Sequence, residues 1–270
     1  MRLSKNCFGL GKPAVPEIEL LSCRRLLVAG GWRLPDLRAP YWRLYRNRDE
    51  GAAIVRPDGT VELRRDRFYL IAPETVGHGT QQVDFDQLFL HFLVGAPYDR
   101  CRNFIWELPE DPILRHAVAV ITVEQRHPLL TPVAAMAAMS LCAAALTQLP
   151  KTLLPVRAPD PQLQAVLEEL NAHPERHYVN RELAERIGMS VNTFLRRFHA
   201  ACGKSPQQYL TEARLRRACV LLQYSSLSME EIAERTGFCD RFYFTRMFTR
   251  CRQLSPAAFR KLNELRPSAV

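Results

Sequence analysis

Arg196 and Arg246 stand at equivalent places in two similar segments of the sequence. A guanidinium group presents a planar fork of N–H donors, so one arginine can make two parallel hydrogen bonds to paired acceptors such as those on a guanine edge. Asn192 carries both a donor and an acceptor and can hold adenine in the same way. These side chains bind a partner through hydrogen bonds and break no covalent bond. Their function therefore depends on the helices or strands that position them.

The segments that carry the two arginines are a repeat. Residues 183–190 read LAERIGMS, and residues 232–240 read IAERTGFCD, with the second copy starting 49 residues later. Each copy then runs into a Phe-x-Arg-x-Phe pattern and a Ser-Pro pair, which recur 50 residues apart. Each copy of such a repeat is one supersecondary unit.

The pattern of each copy predicts a helix-turn-helix. Gly188 and Gly237 fall where the chain must leave the first helix in a left-handed conformation, which glycine adopts at little cost. Ser190 and Asp240 follow, where the next helix needs an N-cap acceptor. Phenylalanines four residues apart share the buried face of that next helix. The opposite face is predicted to be basic and outward, as entry into a major groove requires.

The outward side chains of these second helices are the candidate readers of base edges. Counted from the caps, they are Asn192, Thr193, Leu195 and Arg196 on the first helix, and Arg241, Phe242, Thr245 and Arg246 on the second. Arg197, Arg250 and Arg252 are predicted to contact phosphates, which fix the register without reading sequence. The alternative for each of these residues is a solvated surface side chain.

Residues 159–262 resemble the AraC/XylS transcription regulators. The resemblance is carried by the paired glycine turns, by Gly203-x-Ser205-Pro206, by Arg214-Leu215, and by Gly237-Phe238-x-Asp240-x-x-Tyr243-Phe244-x-Arg246-x-Phe248. It implies a regulator that binds double-stranded DNA through two recognition helices, forms a homodimer, and meets RNA polymerase. It also implies that Arg214 is structural.

Composition and charge agree with a nucleic-acid partner. The chain has 270 residues, 24% of them charged, and a net charge of +9. Residues from 159 onward hold 17 basic and 12 acidic side chains, a local excess of +5. A basic protein attracts polyanions, with nucleic acid first and an anionic membrane second. The length fits two domains.

The cysteines and apolar segments indicate a cytoplasmic protein. None of the eight cysteines lies in a Cys-x-x-Cys spacing, so buried thiols in a reducing compartment are expected. No secretory leader is evident, and the most apolar run, residues 132–146, is shorter than the roughly 20 residues of a membrane span. We therefore expect no membrane partner.

The N-terminal part is predicted to be a β-domain. Short apolar segments at residues 41–45, 68–71 and 88–93, and a hairpin around Pro57-Asp58-Gly59, indicate a sandwich or barrel. Residues 25–105 resemble, more weakly, the cupin-type sensor barrel that precedes the DNA-binding part in many AraC/XylS proteins. The expected fold is thus α+β: a cupin-like barrel with helices, followed by an all-α domain with two helix-turn-helix units.

Two helices are predicted after the barrel, and the domain boundaries follow from them and from the proline-rich segment behind them. Residues 113–124 and 132–148 show helical periodicity, and a stripe of apolar and small residues on the second fits either packing against the barrel or a dimer interface. The predicted division is an arm at 1–24, a sensor domain at 25–153, a linker at 154–160, and a DNA-binding domain at 161–270. The linker prediction rests on its prolines.

The N-terminal part has side chains suited to a small-molecule effector but not to a metal. Candidates for the effector are Trp42, Tyr45, Tyr69, His78 and His91. His78 and His91 stand outside any His-x-His pair, so no metal or other cofactor is expected. Each could equally be an ordinary barrel residue. The alternatives to a ligand-controlled regulator are a pure dimerisation module and an enzyme, either a cupin-type catalyst or a DNA-repair methyltransferase. An enzyme needs a metal triad or an activated cysteine, and neither motif is present, so we predict no catalytic residues.

Overall fold

The computed structural model describes residues 16–29, 32, 38–95, 97–109, 111–124, 130–154, 160–252 and 254–264. Its strands and most of its apolar core lie in what we name the N-terminal half, residues 16–154. The C-terminal half, residues 160–264, is helical. The predicted α+β organisation, with strands and helices in the N-terminal part and helices alone in the C-terminal part, is therefore present in the described ranges.

Eight strands in the described ranges form two sheets. They are β1 Ile18–Val28, β2 Trp42–Asn47, β3 Ala52–Arg56, β4 Gly59–Leu63, β5 Phe68–Ile71, β6 His78–Gln81, β7 Phe85–Val94 and β8 Ile105–Leu108. One sheet has the order β1-β7-β2-β5-β8 and the other the order β4-β3-β6, with antiparallel pairing throughout. The predicted hairpin around Gly59 is the β3–β4 pair.

The central strand β2 is buried on both of its faces. Trp42 and Leu44 pack into an apolar cluster beneath the helices of this half, whereas Tyr45 belongs to a second cluster between the two sheets. Because successive side chains of a strand point to opposite faces, β2 separates the two clusters. The five-stranded sheet thus has helices on one face and the smaller sheet on the other.

A closed cupin-like barrel is not confirmed. Among the described residues the two sheets are joined along their strands only by an isolated bridge between Asn47 and Arg65. The edges of the five-stranded sheet are β1 and β8, which are not hydrogen-bonded to β4 or β6. The arrangement in the described ranges is an open two-sheet sandwich. Strand β1 begins at Ile18, so residues 18–24, predicted to belong to an arm, are part of the sheet. Residues 1–15 lie outside the described ranges.

Two helices cover the outer face of the five-stranded sheet. They are α1 Pro112–Glu124 and α2 Pro132–Thr147, close to the predicted bounds. Thr131 caps α2 by accepting a hydrogen bond from the backbone N–H of Ala134. The buried face of α2 includes Ala138, Leu141 and Ala145, and its small alanine side chains let the helix lie close to the sheet.

The C-terminal half consists of seven helices in the described ranges. They are α3 Pro161–Ala172, α4 Asn180–Arg186, α5 Val191–Cys202, α6 Pro206–Tyr224, α7 Met229–Arg235, α8 Arg241–Arg252 and α9 Pro256–Glu264. Asp160 caps α3, and Ser228 forms a capping box with Glu231 at the start of α7. Asn180 does not cap α4, because it is already the first helical residue and Val179 occupies the cap position.

The cysteines of the described ranges are all free thiols. Cys101, Cys142 and Cys219 are buried, and burial raises the pKa of Cys101 and Cys219 to about 11, which keeps these thiols protonated. The prediction of buried thiols is wrong for Cys239 and Cys251, which are exposed. Cys7 lies outside the described ranges. None of the described helices combines the length and apolarity needed to cross a membrane.

Candidate nucleic-acid interface

The first helix-turn-helix unit is formed by α4 and α5. Leu183 and Ala184 of α4 and Phe194 and Phe198 of α5 are all buried in one cluster. Ser190 caps α5 by accepting a hydrogen bond from the backbone N–H of Thr193 at 3.3 Å. The buried pair of phenylalanines orients α5, since the opposite side of the same helix must then face solvent.

The second unit, α7 and α8, repeats this arrangement. Ile232 and Ala233 are buried beside Phe244 and Phe248, whose ring centroids lie 5.7 Å apart, against 5.6 Å for the equivalent rings of the first unit. The Asp240 side chain caps α8 by accepting from the backbone N–H of Tyr243 at 2.7 Å. This hydrogen bond holds the pKa of Asp240 below its ordinary range, so the cap carries a negative charge at the positive end of the helix.

The glycines of both turns adopt the predicted left-handed conformation, with φ of 66° at Gly188 and 78° at Gly237. Gly237 carries a second constraint, because a Cβ there would lie 2.4 Å from the carbonyl oxygen of Glu175. The second turn therefore lies directly against the loop between α3 and α4, which leads into the first unit. Gly188 has open space around it.

Helix α6 ties the two units together. It contributes buried residues to the apolar clusters of both units, Leu210 to the first and Leu215 and Leu222 to the second. Arg214, halfway along it, donates hydrogen bonds to the carbonyl oxygens of Pro174 at 2.7 Å and Arg176 at 2.8 Å. The interpretation of Arg214 as structural agrees with these contacts. The two second helices, α5 and α8, are thus carried on one frame.

The outer faces of α5 and α8 carry matching residues. Asn192 and Arg196 are exposed on α5, and Phe242 and Arg246, each 50 positions later, are exposed on α8. Phe242 is 69% exposed, an unusual state for so large an apolar side chain. Thr193, Leu195 and Thr245 are partly buried at the sides of these faces. The predicted base readers therefore lie on two outward surfaces with equivalent frames behind them.

The electrostatics of the second outer face are shaped by local pairing. Arg241 makes an ion pair with Glu230 of α7, at 2.5 Å, and its guanidinium lies 5.0 Å from the Phe242 ring centroid. The Arg246 guanidinium lies 5.8 Å from the ring centroid of Tyr243. Tyr243 is 37% exposed beside these arginines, and it was not among the predicted outward residues because its aromatic ring favours a buried position.

Two of the three predicted phosphate-binding arginines lie elsewhere. Arg197 is bound to Asp160, the cap of α3, and to Gln162. Arg252 lies four residues after Phe248 and so shares the inner side of α8, where its side chain is 12% exposed and pairs with Glu74 of the N-terminal half. Arg250 is exposed and points outward.

The five residues predicted for an effector are only partly brought together. Tyr45, Tyr69 and His91 lie on the face of the large sheet that looks toward the small sheet, and all three are buried. Trp42 lies on the opposite face, stacked with Phe92 beneath the helices. His78 is exposed on β6. The alternation of β2 separates Trp42 from Tyr45, and which face was the inner one could not be read from the pattern alone.

Arg43 and Trp32 join the inner group and were not predicted. Arg43 is buried on the same face as His91, its cross-strand partner, and its guanidinium lies 5.0 Å from the ring centroid of Tyr41. Trp32 makes edge contacts with Tyr45 and Phe85. Among the described residues, no group of three or more His, Cys, Asp or Glu side chains is placed to hold a metal ion.

Comparison with known proteins connects the C-terminal geometry to a family. Residues 183–262 match the family described as a helix-turn-helix domain. The MmsAB operon regulatory protein of Pseudomonas aeruginosa is 30% identical over 112 residues, which are 40% of this chain and 36% of that protein. The chain thus matches about a third of the length of that regulator.

Two solved structures extend the comparison. The DNA-binding domain of AdpA, a global transcriptional factor solved in complex with a target DNA, is 35% identical, covers 40% of this chain and 96% of that chain, and has a TM-score of 0.37. ToxT from Vibrio cholerae covers 92% of this chain and 98% of its own, with a TM-score of 0.52 at 9% identity. The likeness to ToxT concerns the fold alone and extends through both halves.

The relatives are named as regulators rather than enzymes. The resemblance to the AraC/XylS regulators, drawn from the repeated turns and the Phe-x-Arg-x-Phe helices, is confirmed. Residues 183–262 therefore match the helix-turn-helix family, and they resemble the DNA-binding part of AraC-type regulators.

Proposed function

We propose that this protein is a sequence-specific DNA-binding regulator of transcription that reads double-stranded DNA with α5 and α8. One observation carries the proposal: two equivalent outer faces, each with an exposed arginine at the same place, are held on one frame by α6. A frame of this kind has little use in a catalytic site but is suited to two successive grooves of one duplex.

The geometry of B-DNA then defines the binding site. Recognition helices on one frame enter successive major-groove turns, about 34 Å apart, on the same side of the duplex. Each protomer would therefore cover two short boxes about one helical turn apart, with no palindrome needed inside one site. Arg196 reads a base in one box and Arg246 reads a base in the other, while Arg250 holds a phosphate.

The second component of the proposal is a small-molecule effector bound in the N-terminal half. Tyr45, Tyr69 and His91 share the buried face between the two sheets, which supports a polar and aromatic binding surface. The fold likeness to ToxT is consistent with this idea, since ToxT has also been solved with (E)-4-(8-methylnaphthalen-1-yl)but-3-enoic acid bound. We assign no catalytic role and no cofactor to this half.

The third component is a homodimer formed through the helices of the N-terminal half. Large apolar side chains remain exposed on the outer side of α1 and α2, namely Ile113, Val123, Val133, Met136 and Met139. A cluster of exposed apolar side chains on one face typically marks a site of contact with another protein. Of the predicted stripe on α2, Val133, Met136 and Ser140 are outward, whereas Leu141 packs inward. Contact with RNA polymerase and a cytoplasmic location follow from the proposed activity.

Selection of bound fragments from a randomised DNA library, using the full-length protein, tests this function directly. Enrichment of two boxes about one helical turn apart is expected. Arg196→Ala should relax base preference in one box only, at a cost of roughly 1–3 kcal/mol for the preferred base, and Arg246→Ala should do so in the other box. If both variants keep the wild-type preference at every position, these arginines do not read bases and the assignment fails.

A further inference from the structure

The two halves of the molecule meet without a shared apolar core. Each of the four apolar clusters in the described residues draws its side chains from one half alone. The contacts that cross between the halves are instead hydrogen bonds, ion pairs and ring contacts of single side chains, and they include an ion pair of Arg217 with Glu19 at 3.5 Å. Interfaces between domains that lack a large apolar area permit relative motion of the domains. The few polar contacts that do cross therefore decide how the halves are held.

The first of these contacts lies at the end of α6. The hydroxyl of Tyr224, the last residue of that helix, is hydrogen-bonded to Nδ1 of His91 at 2.6 Å. The adjacent Gln223 side chain accepts a hydrogen bond from the Tyr41 hydroxyl. The rings of Tyr41 and His91 lie 5.0 Å apart between these two contacts. The end of the helix that links the recognition units is thus seated on the buried face of the sandwich.

The second contact lies at the end of α8, where Arg252 donates to the carboxylate of Glu74. Burial pushes the pKa of Glu74 up, but the positive charges of Arg252, Arg102 and Arg216 outweigh it and hold the pKa below its ordinary range. The backbone of Glu74 is itself constrained, with φ of 57°, a left-handed conformation that is uncommon for residues other than glycine.

The loop around Glu74 is built to hold that conformation. The backbone N–H of Glu74 donates to the carbonyl oxygen of Ala39 at 2.9 Å. The hydroxyl of the next residue, Thr75, is buried and donates to the carbonyl oxygen of Ala72 at 2.6 Å. Backbone strain that persists in a native loop is held there by its surroundings and is concentrated at functional positions. Here the strain presents one carboxylate to the second helix-turn-helix unit.

We propose that these two contacts form a polar latch, Tyr224–His91 with Tyr41–Gln223 on one side and Glu74–Arg252 on the other, which holds the second helix-turn-helix unit against the sandwich and can open while both halves stay folded. Both contacts fall on the inner side of the C-terminal half, so the latched protein keeps the outer faces of α5 and α8 open. His91 is also one of the proposed effector residues, and a ligand that bonds to Nδ1 of its ring would have to displace Tyr224. This last link rests on the proposed function, whereas the latch does not.

Small-angle X-ray scattering on the full-length protein tests the latch. The double variant Glu74→Gln with Tyr224→Phe removes one charge and one hydroxyl while keeping both side-chain shapes. We expect it to show a larger radius of gyration and maximum dimension than the wild type, with unchanged helical content by circular dichroism. The matched control is Glu169→Gln with Tyr178→Phe. It breaks the ion pair Glu169–Arg186, whose carboxylate is about as exposed as that of Glu74, and a hydroxyl contact within the C-terminal half, and it should scatter like the wild type.

A second pair of substitutions guards against misfolding. Glu74→Gln leaves Arg252 buried without its carboxylate, which can destabilise the C-terminal half itself. Arg252→Gln with Tyr224→Phe opens the same latch without that buried charge. Expansion of either folded double variant supports the latch, and wild-type scattering from a folded form of both would overturn it. The readout is molecular shape, so loss or retention of DNA binding, which tests the proposed function, is a separate result.

Discussion

Arg250 and Arg252 are two residues apart on α8, yet the structure predicts that only the replacement of Arg250 changes the salt dependence of DNA binding. Arg250 points outward, whereas Arg252 shares the inner side with Phe244 and Phe248 and reaches Glu74. Replacing each in turn by glutamine removes one positive charge and leaves a shorter, polar side chain. Only a charge that neutralises a phosphate releases a counterion from DNA, and each such charge contributes about 0.9 to the slope of log affinity against log salt.

The expected magnitude follows from that slope. Arg250→Gln should flatten it by about 0.9, so that between roughly 50 and 200 mM salt the variant loses about 3.5-fold less affinity than the wild type does. Arg252→Gln should leave the slope unchanged. Fluorescence anisotropy with one labelled duplex of mixed sequence, measured at several salt concentrations, provides both values. Arg25→Gln, which breaks an ion pair with Asp86 in the N-terminal half, controls for loss of a charge far from DNA.

Two results would refute this reasoning. An unchanged slope for Arg250→Gln would mean that the outer end of α8 does not meet the phosphate backbone. An equal flattening by Arg252→Gln would mean that this side chain leaves Glu74 and reaches DNA, and the inner position of Arg252 would then not describe the bound protein.

Three further predictions concern stability and organisation. Gly188→Ala should lower the free energy of unfolding in urea by about 1–2 kcal/mol because of the left-handed backbone at this position. Gly237→Ala should lower it clearly more, since the added Cβ would also meet Glu175. Equal losses for the two variants would contradict that contact. The pKa of Glu74 is lower in the folded protein than in the unfolded chain, so its ion pair stabilises the folded protein fully at pH values above the unfolded-state pKa. This stabilisation is lost as the pH falls through the folded-state pKa. The radius of gyration should therefore grow on acidification in the wild type and respond less in Glu74→Gln. Limited proteolysis should cut first within residues 154–160, and the fragment from residue 160 should still bind DNA; an unfolded or inert fragment would refute the division into two domains.

The C-terminal half was largely predictable because its signals are local. Glycine turns, caps such as Ser190 and Asp240, and phenylalanines four residues apart define each helix from its own segment. The placement of Arg252 follows the same rule, since it lies four residues after Phe248, but the positive charge of an arginine favours an exposed position and masks this spacing. Asn180 shows the limit of such signals, because the helix begins one residue earlier than a cap at that position allows.

The N-terminal half was predicted less completely because its strands depend on distant partners. Strand β6, with the sequence HGTQ, has no apolar alternation and is defined by its pairing with β3. Strand β1 is long and irregular, with a register shift between Leu20 and Ser22, and the predicted boundary between the arm and the sensor domain falls inside it. The pairing of Glu74 with Arg252 joins residues 178 positions apart, and neither residue carries a local mark of it.

The repeat is asymmetric at the position of Arg252, and this has a consequence for exchanging its parts. The equivalent place in the first unit, 50 positions earlier, is Cys202, and burial raises the pKa of that thiol, so it stays neutral and forms no ion pair of this kind. The two units therefore carry equivalent arginines on their outer faces, but their inner faces make different contacts with the rest of the chain. A chimera that receives α4 and α5 from another regulator should keep its native attachment to the sandwich. One that receives α7 and α8 should lose the contact with Glu74 unless Arg252 is restored, so new DNA specificities can be grafted more safely at the first unit than at the second.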